Sequence, residues 1–339
     1  MAADSPALSV VLPVRDGGRY FREALLSLQR QTLEDFEVLI QDDGSSDGSP
    51  HIAADDFARW DERFLLEVGP PRGVAAAANR AAARARSELL VRMDADDLAH
   101  PERLEKQLAF AKAHPDIDYF GSRVRYFPRE HVGPGAEHYE TWINAVVTPE
   151  EIWRDRFVED PLPHPSAVVR RPLFDELGGF RDGDFPEDYD FFLRAAALGT
   201  RFGKHPDVLL EWREGEHRTT RHDGRYGLDR FRALKVQHLL PLLAALARPV
   251  GIVGAGPDGK SLAKLLAAGG RPIHCFVDVH PGRIGNEIHG ARVYAYDDVG
   301  ALADCYFLVA VGQKGARAQV RAALTESGLT EEADFLCVQ

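Results

Sequence analysis

Apolar and polar positions follow two periods along the first hundred residues, and the switches between them lay out the elements. "LSVVLPV" (8–14), "FEVLIQ" (36–41), "RFLLEV" (63–68) and "ELLVRM" (88–93) are short, mostly apolar runs of the kind buried on both faces of a sheet. Between them "RYFREALLSLQRQ" (19–31), a stretch over about 50–60 and the Ala-rich "GVAAAANRAAARAR" (73–86) gather apolar residues on one helical face. This alternation predicts an α/β fold, a doubly wound, mostly parallel sheet with helices on both faces. The pattern loosens over about 115–225, where Pro, His, Trp and Arg are scattered as in substrate loops. "YGLDRFRALKVQHLLPLLAALA" (226–247) reads as a helix that Pro241 should end or kink. At "RPVGIVGAGPDGKSLAKLLAAGG" (248–270) the strand–helix rhythm restarts, with further strands in "PIHCFVD" (272–278) and "CYFLVAVG" (305–312). The expected organisation is an N-terminal domain over 1–225, a helical linker over 226–247 and a small Rossmann-like domain over 248–339.

In such sheets ligands bind beyond the carboxyl ends of the strands. Two acidic turns fall at that edge. The first, "QDDGSSDGS", places carboxylates where they can accept a uracil N–H or ribose hydroxyls; the plainer alternative is a turn followed by a helix cap. The second, in "LLVRMDADDLAHPERL", crowds Asp94, Asp96 and Asp97 into four positions, so something must neutralise them. Hard oxygen ligands suit Mg²⁺ or Mn²⁺, which would also bind a departing diphosphate. The alternative there is an Asp-rich turn capping the helix that starts near Pro101.

The C-terminal loop "GAGPDG" puts Gly254, Gly256 and Gly259 in GxGxxG spacing between strand and helix, with Asp278 ending the next strand. Those are the requirements for a nucleotide fingerprint: bare backbone for the phosphates and an acid for the ribose. The other reading is a docking module that only keeps the fold.

Composition narrows the classes. The chain has 339 residues and a formal net charge of −12, which disfavours nucleic acid as a partner. Cys275, Cys305 and Cys337 form no disulfide framework or zinc spacing, which points to a reducing, cytoplasmic setting. "MAADSPALSVVLPV" has no signal-peptide pattern, and "LLPLLAALA" (239–247) is too short to span a bilayer.

From "LSVVLPVRDGG…FEVLIQDDGSSDGS" through "GVAAAANRA" and "LLVRMDADDLAHPERLEKQLAF" to "HPSAVVRRPLFDELGGFRDGDFPEDYDFFLRAAALG" (164–199), the chain resembles the family 2 glycosyltransferases of the GT-A fold. The resemblance covers roughly residues 8–225. It implies inverting transfer of a sugar from a nucleotide-diphosphate donor, usually UDP-linked, to a glycan, lipid-linked or protein acceptor in cell-surface polysaccharide synthesis. It also implies roles. Asp43 and Pro13 would line the base and ribose site, Asp96 would be the main metal ligand, and Asp94 would contact ribose or metal. Asp188, in "PEDYD", would be the general base; Glu187 and Asp190 are the neighbours to tell it from, and a charged helix start is the alternative. In "EWREGEHRTTR" (211–221), His217 would complete the metal shell and Arg213, Arg218 or Arg221 would hold diphosphate. His164 falls in the acceptor region. Trp142, Trp153 and Trp212 fit core packing better than sugar stacking.

One departure stands out. Many relatives have a basic residue before the Asn of the third motif, whereas Ala78 precedes Asn79 here, so either a diphosphate contact is missing or Arg72 in "PPRGV" replaces it. The C-terminal segment, including "GNEIHGARVYAYDDV" (285–299), also resembles the small domains that precede sugar acyltransferases. Other readings are a sugar nucleotidyltransferase, a nucleotide-sugar sensing protein and, weakest, a NAD-dependent oxidoreductase. "VRDGGRY" holds too little Gly for the triphosphate cradle of the first. Transient contact with a membrane surface and a homo-oligomer are both compatible with the leading reading.

Overall fold

The protein, described by a computed structural model over residues 5–215, 222–313 and 315–339, divides into two compact units. One holds residues 1–152 and 161–225, the other 153–160 and 226–339. The stretch expected as a linker over 226–247 is therefore counted with the C-terminal unit, together with a short excursion from the middle of the N-terminal one.

The N-terminal unit is built on eight strands: β1 Leu8–Val14, β2 Phe36–Asp42, β3 Phe64–Val68, β4 Leu89–Arg92, β5 Leu98–Ala99, β6 Tyr119–Phe127, β7 Val168–Arg170 and β8 Phe202–Arg213. Their order is β3-β2-β1-β4-β7-β6-β8-β5. β3, β2, β1 and β4 are parallel, β7 runs against both β4 and β6, and the two-residue β5 runs against β8. Every residue of β1, β2 and β4 is buried, as their continuous apolar runs require. The helix Gly18–Gln29 lays Phe21, Ala24, Leu25 and Leu28 on this sheet. The helix Val74–Arg84 buries only alanines, whose small side chains let it approach β1 and β2 closely. The helix expected over about 50–60 is Ser49–Ala53 followed by a π turn at Ala54–Ala58.

The sheet order reverses at β1, and there the strands part. β1 pairs with β4 only as far as Val11↔Arg92, while its pairing with β2 continues to Val14↔Asp42. Val11 turns its carbonyl to the β4 side, accepting Met93 N, so Pro13, two residues on, lacks its N–H on the side where pairing has already ended. A proline in a buried central strand is thus explained by the crevice it borders, the place where a doubly wound sheet receives ligands.

Beneath this edge a polar tie crosses the sheet. The buried Glu37 carboxylate accepts Ser9 Oγ at 2.6 Å and both the N–H and Nε of Arg86 at 2.8 Å. Burial alone would raise this carboxyl, but the bonds from Ser9 and Arg86 outweigh it and hold it below its ordinary value. A depressed folded pKa stabilises above the unfolded value, about 4.3, and that stability is lost as pH falls through the folded value. Glu37→Gln should therefore cost roughly 1–3 kcal/mol at pH 7, and the gap to wild type should narrow below about pH 4 in urea melts.

The C-terminal unit has six strands: β9 Val250–Val253, β10 Cys275–Asp278, β11 Glu287–Ile288, β12 Ala291–Ala295, β13 Tyr306–Val309 and β14 Phe335–Cys337. Their order is β11-β12-β10-β9-β13-β14, all parallel except the β11–β12 hairpin. From β12 to β14 this is the 3-2-1-4-5 order of a doubly wound sheet. The helix Leu228–Leu246 runs on past Pro241, so of the two expectations, an end or a kink, the end is not met. One lost N–H donor is outweighed by packing: Leu239 and Leu243 are fully buried, and Leu240 lies so close to Gly269 that a Cβ there would meet it at 2.5 Å. The segment 153–160 joins this unit through Arg156, whose guanidinium holds Glu332 at 2.7 and 2.8 Å, and through the Val158 carbonyl, which accepts Lys235 Nζ at 2.6 Å. All three cysteines are buried and free. No helix among the described residues is long and apolar enough to cross a membrane.

Candidate active site

The two acidic turns both sit at the carboxyl edge of the N-terminal sheet. β2 ends at Asp42, whose Oδ1 accepts Gly44 N and Ser45 N at 2.9 Å, closing the turn, while its buried Oδ2 has no hydrogen-bond partner among the described residues. Asp43 is caged instead. Its carboxylate accepts Arg72 N at 2.9 Å, Gly73 N at 2.8 Å and the Arg80 guanidinium at 2.8 Å. These bonds fix the entry to the helix Val74–Arg84 and leave Asp43 about one acceptor position for a ligand. Arg72 meets Asp43 through its main chain. Arg80, the cation that holds the Asp43 side chain, was not singled out from the sequence; its place about two turns into the helix after Gly73 was the available signal.

Asn79 has another task. Its amide donates to the Phe180 carbonyl at 2.8 Å and accepts Phe180 N at 2.9 Å, clamping the backbone of "GGF". Gly179, at φ 72°, could carry no side chain, because a Cβ would stand 2.5 Å from Asn79 Oδ1. Ala78 faces the core at 2% exposure, so position 78 has no access to a diphosphate.

After β4, Asp94, Asp96 and Asp97 offer one oxygen each within 4.8 Å of one another. Three arginines surround them. Arg92 pairs with Asp94 at 2.6 Å. Arg103, fully buried, donates to the carbonyls of Arg92 and Pro165 at 2.7 and 2.9 Å; burial pushes its pKa down to about 10, with Asp97 and Asp94 opposing, so it stays charged. Arg213, on β8, donates its main-chain N–H to Asp97 Oδ1 at 2.7 Å and its Nε to the Asp96 carbonyl at 2.6 Å. Its guanidinium stacks between Tyr20 and Phe127, 4.0 and 4.4 Å from the ring centres, and reaches Glu23. Arg213, expected as a diphosphate ligand, is thus engaged in holding the acidic turn. The oxygen-only donor set fits a hard divalent cation, and the arginines offset much of its negative charge beforehand. His217, Arg218 and Arg221 lie outside the described residues.

His164 is part-buried beside the same cluster. Burial, reinforced by Arg92 and opposed by Asp94, pushes its imidazole down to about 3, so it is neutral at physiological pH. Its ring meets Phe180 edge-on at 5.3 Å, and its buried Nδ1 has no hydrogen-bond partner among the described residues.

The helix Glu187–Ala197 starts with its acidic residues sorted by burial. Asp190 is buried and bonded to Arg194 Nε at 2.7 Å, and Arg194 in turn holds the Leu177 and Gly179 carbonyls at 2.8 and 2.9 Å. Glu187 is buried too, whereas Asp188 is half-exposed, with Oδ1 accepting Tyr189 N at 2.7 Å. Trp212 stacks on Tyr126 at 5.1 Å and, with Trp142, packs against the core; Trp153 lies under the Arg156 guanidinium at 4.2 Å.

The model of the Glycosyl transferase family 2 matches residues 9–178, half of the chain, and takes in both acidic turns. The chain belongs to glycosyl transferase family 2. This glycosyltransferase is 28% identical over 206 residues to the "Amylovoran biosynthesis glycosyltransferase AmsE" of Erwinia amylovora, covering 60% of this chain and 73% of that protein. It is 26% identical over 238 residues to the "UDP-Gal:alpha-D-GlcNAc-diphosphoundecaprenol beta-1,3-galactosyltransferase" of Escherichia coli, covering 69% and 84%. Among solved structures it superposes on S. aureus TarS 1-349 in complex with UDP-GlcNAc with a TM-score of 0.54 at 19% identity, over 76% of this chain and 71% of that one. A mannosyltransferase from Pyrobaculum calidifontis in complex with GDP-Man and Mn²⁺ gives 0.50 at 22%, over 78% and 75%. These neighbours carry the GT-A fold, which this glycosyltransferase shares. Asp188 lies ten residues beyond the matched region, and the strands β9–β14 fall outside it.

Proposed function

We propose that the enzyme transfers a sugar with inversion from a UDP-sugar to a glycan or lipid-linked acceptor in surface polysaccharide synthesis. Asp43 and the Pro13 backbone would take the nucleoside, Asp94 and Asp96 a divalent cation, and Asp188 the acceptor proton. One observation carries the reading. The end of β2 and the end of β4 bring Asp43 and the Asp94–Asp97 cluster to the same edge, on either side of β1, where the sheet order reverses. Mg²⁺ or Mn²⁺ bound there would act as the Lewis acid for the leaving diphosphate. The acceptor oxygen attacks the anomeric carbon, its proton passes to the Asp188 carboxylate, and the bond to the diphosphate breaks. The names of the relatives, with their UDP-linked and diphosphoundecaprenol substrates, support this donor and acceptor class. A lipid-linked acceptor would be met by transient contact with a membrane surface, and the reducing setting suggested by three free cysteines supports a cytoplasmic location.

The nucleotidyltransferase alternative needs free N–H groups after β1. There Asp16 N, Gly17 N and Gly18 N donate to Ser45 Oγ, Ser49 Oγ and Asp47 Oδ2 at 2.9, 3.0 and 2.6 Å. That loop has little left to cradle a triphosphate. The test is calorimetric titration of UDP into the full chain with and without Mn²⁺. Mn²⁺ should tighten one equivalent of UDP at least about tenfold, or 1.4 kcal/mol. UDP binding that Mn²⁺ leaves unchanged would sink the reading.

A further inference from the structure

Nothing in the proposed transfer uses the C-terminal unit, yet that unit has a cavity of about 600 Å³ at the carboxyl ends of β9, β10 and β13. It opens where the sheet order reverses, between β9 and β13. The loop from β9 to the helix Pro257–Ala268 forms its floor. Gly259 seats that helix against the strand end, since a Cβ there would fall 1.8 Å from the Gly254 carbonyl oxygen. Gly256 leaves its backbone bare, and the Arg283 guanidinium stands beside it, 3.8 Å from where a Cβ would be. Arg283 is anchored on Asp278 at 3.0 Å but keeps 40% of its side chain exposed, so it can still grip an anion.

Asp278 is buried and accepts Ala255 N at 2.7 Å and His280 N at 2.8 Å besides Arg283. Three of its roughly four acceptor positions are filled, and the fourth remains for a hydroxyl. Asp258, also on the cavity, is matched by Arg232 and adds no unbalanced charge. The opposite wall is apolar. Val279 is 76% exposed there, an unusual state for a large aliphatic side chain, and Tyr296 and Val320 flank the same space.

We infer that the C-terminal unit binds a nucleoside diphosphate, with the diphosphate between Arg283 and the bare backbone of Gly256, while Gly254 N and Ala255 N stay on the Val277 carbonyl and Asp278 and hold the loop in shape. The base lies against Val279, Tyr296 and Val320, and a ribose hydroxyl reaches Asp278. Among the described residues only β13 and β14 extend the sheet beyond β9, fewer strands than the half that receives the second nucleotide of a dinucleotide. This site is separate from the donor site and requires no metal ligand.

The experiment uses the full chain carrying Asp96→Ala, in EDTA, so that the donor site keeps no metal-dependent affinity, and the variants below tell residual binding there from binding to the C-terminal unit. ADP, UDP, GDP and NAD are each titrated calorimetrically. One equivalent of a nucleoside diphosphate should bind, Arg283→Ala should weaken it at least about tenfold, and Ala323→Trp, which fills the cavity beside Val320, should abolish it. Arg283→Ala is a surface change, so its fold is secured even if Ala323→Trp unfolds the unit; a thermal melt checks both. The inference is overturned if no nucleoside diphosphate binds at about 1 mM, if Arg283→Ala leaves affinity unchanged, or if NAD binds more tightly than ADP. Because Mn²⁺-dependent binding is measured separately on the wild type, failure here leaves the donor reading standing, and the reverse.

Discussion

Asp188→Asn should lower kcat by about 10³-fold while leaving the Mn²⁺-dependent affinity for UDP within twofold, because a general base contributes on the order of 10²–10⁴ to the chemical step and little to donor binding. Burial sorts the three carboxylates at this helix start. Asp190 is buried and tied to Arg194, which holds the turn ahead of the helix, so its charge is committed to structure. Glu187 is buried as well, and of the three acids only Asp188 is half-exposed. Steady-state UDP release and calorimetry on the same preparation measure the two halves of the prediction. Normal turnover in Asp188→Asn would place the base elsewhere. A loss of affinity equal to the loss of rate would make Asp188 a binding residue.

The second large effect is expected from Asp96→Ala, which should abolish the Mn²⁺-dependent increment in UDP affinity, a loss on the order of 100-fold or more. The turn itself should survive. Arg213 Nε holds the Asp96 main-chain carbonyl and Arg213 N holds Asp97 Oδ1, and neither bond uses the Asp96 side chain. Unchanged thermal stability with lost metal dependence is the signature. A variant that binds UDP with wild-type Mn²⁺ dependence would remove Asp96 from the metal site.

Much of the fold was legible because burial writes itself into period. β1, β2 and β4 are buried along their whole length, so their runs are mostly apolar and could be bounded to within a residue or two. The helix passes Pro241 rather than ending there for the opposite reason: the local cost of the proline is fixed, but the burial of Leu239 and Leu243 that outweighs it is tertiary. The site shows the same divide. The acidic turns could be read from composition and their place after strands. Their counter-charges could not, because Arg103 reaches them from the following helix and Arg213 from β8, more than a hundred residues on. Spacing alone did not separate Asp188 from Asp190, and the choice of Asp188 came from the family resemblance; in the structure Asp190 is paired with Arg194 one helical turn later, in a register that any charged helix start would share.

Residues 153–160 leave the N-terminal unit in mid-chain and lend the other unit Asp155 and Arg156, both nearly inaccessible and paired with Arg321 and Glu332. The two units are therefore laced rather than strung. Severing the chain after Arg225 would take Arg156 from Glu332 and leave buried Asp155 with Arg154 alone, and a catalytic half taken from a relative could be spliced in front of residue 226 only if it brought this octapeptide with it.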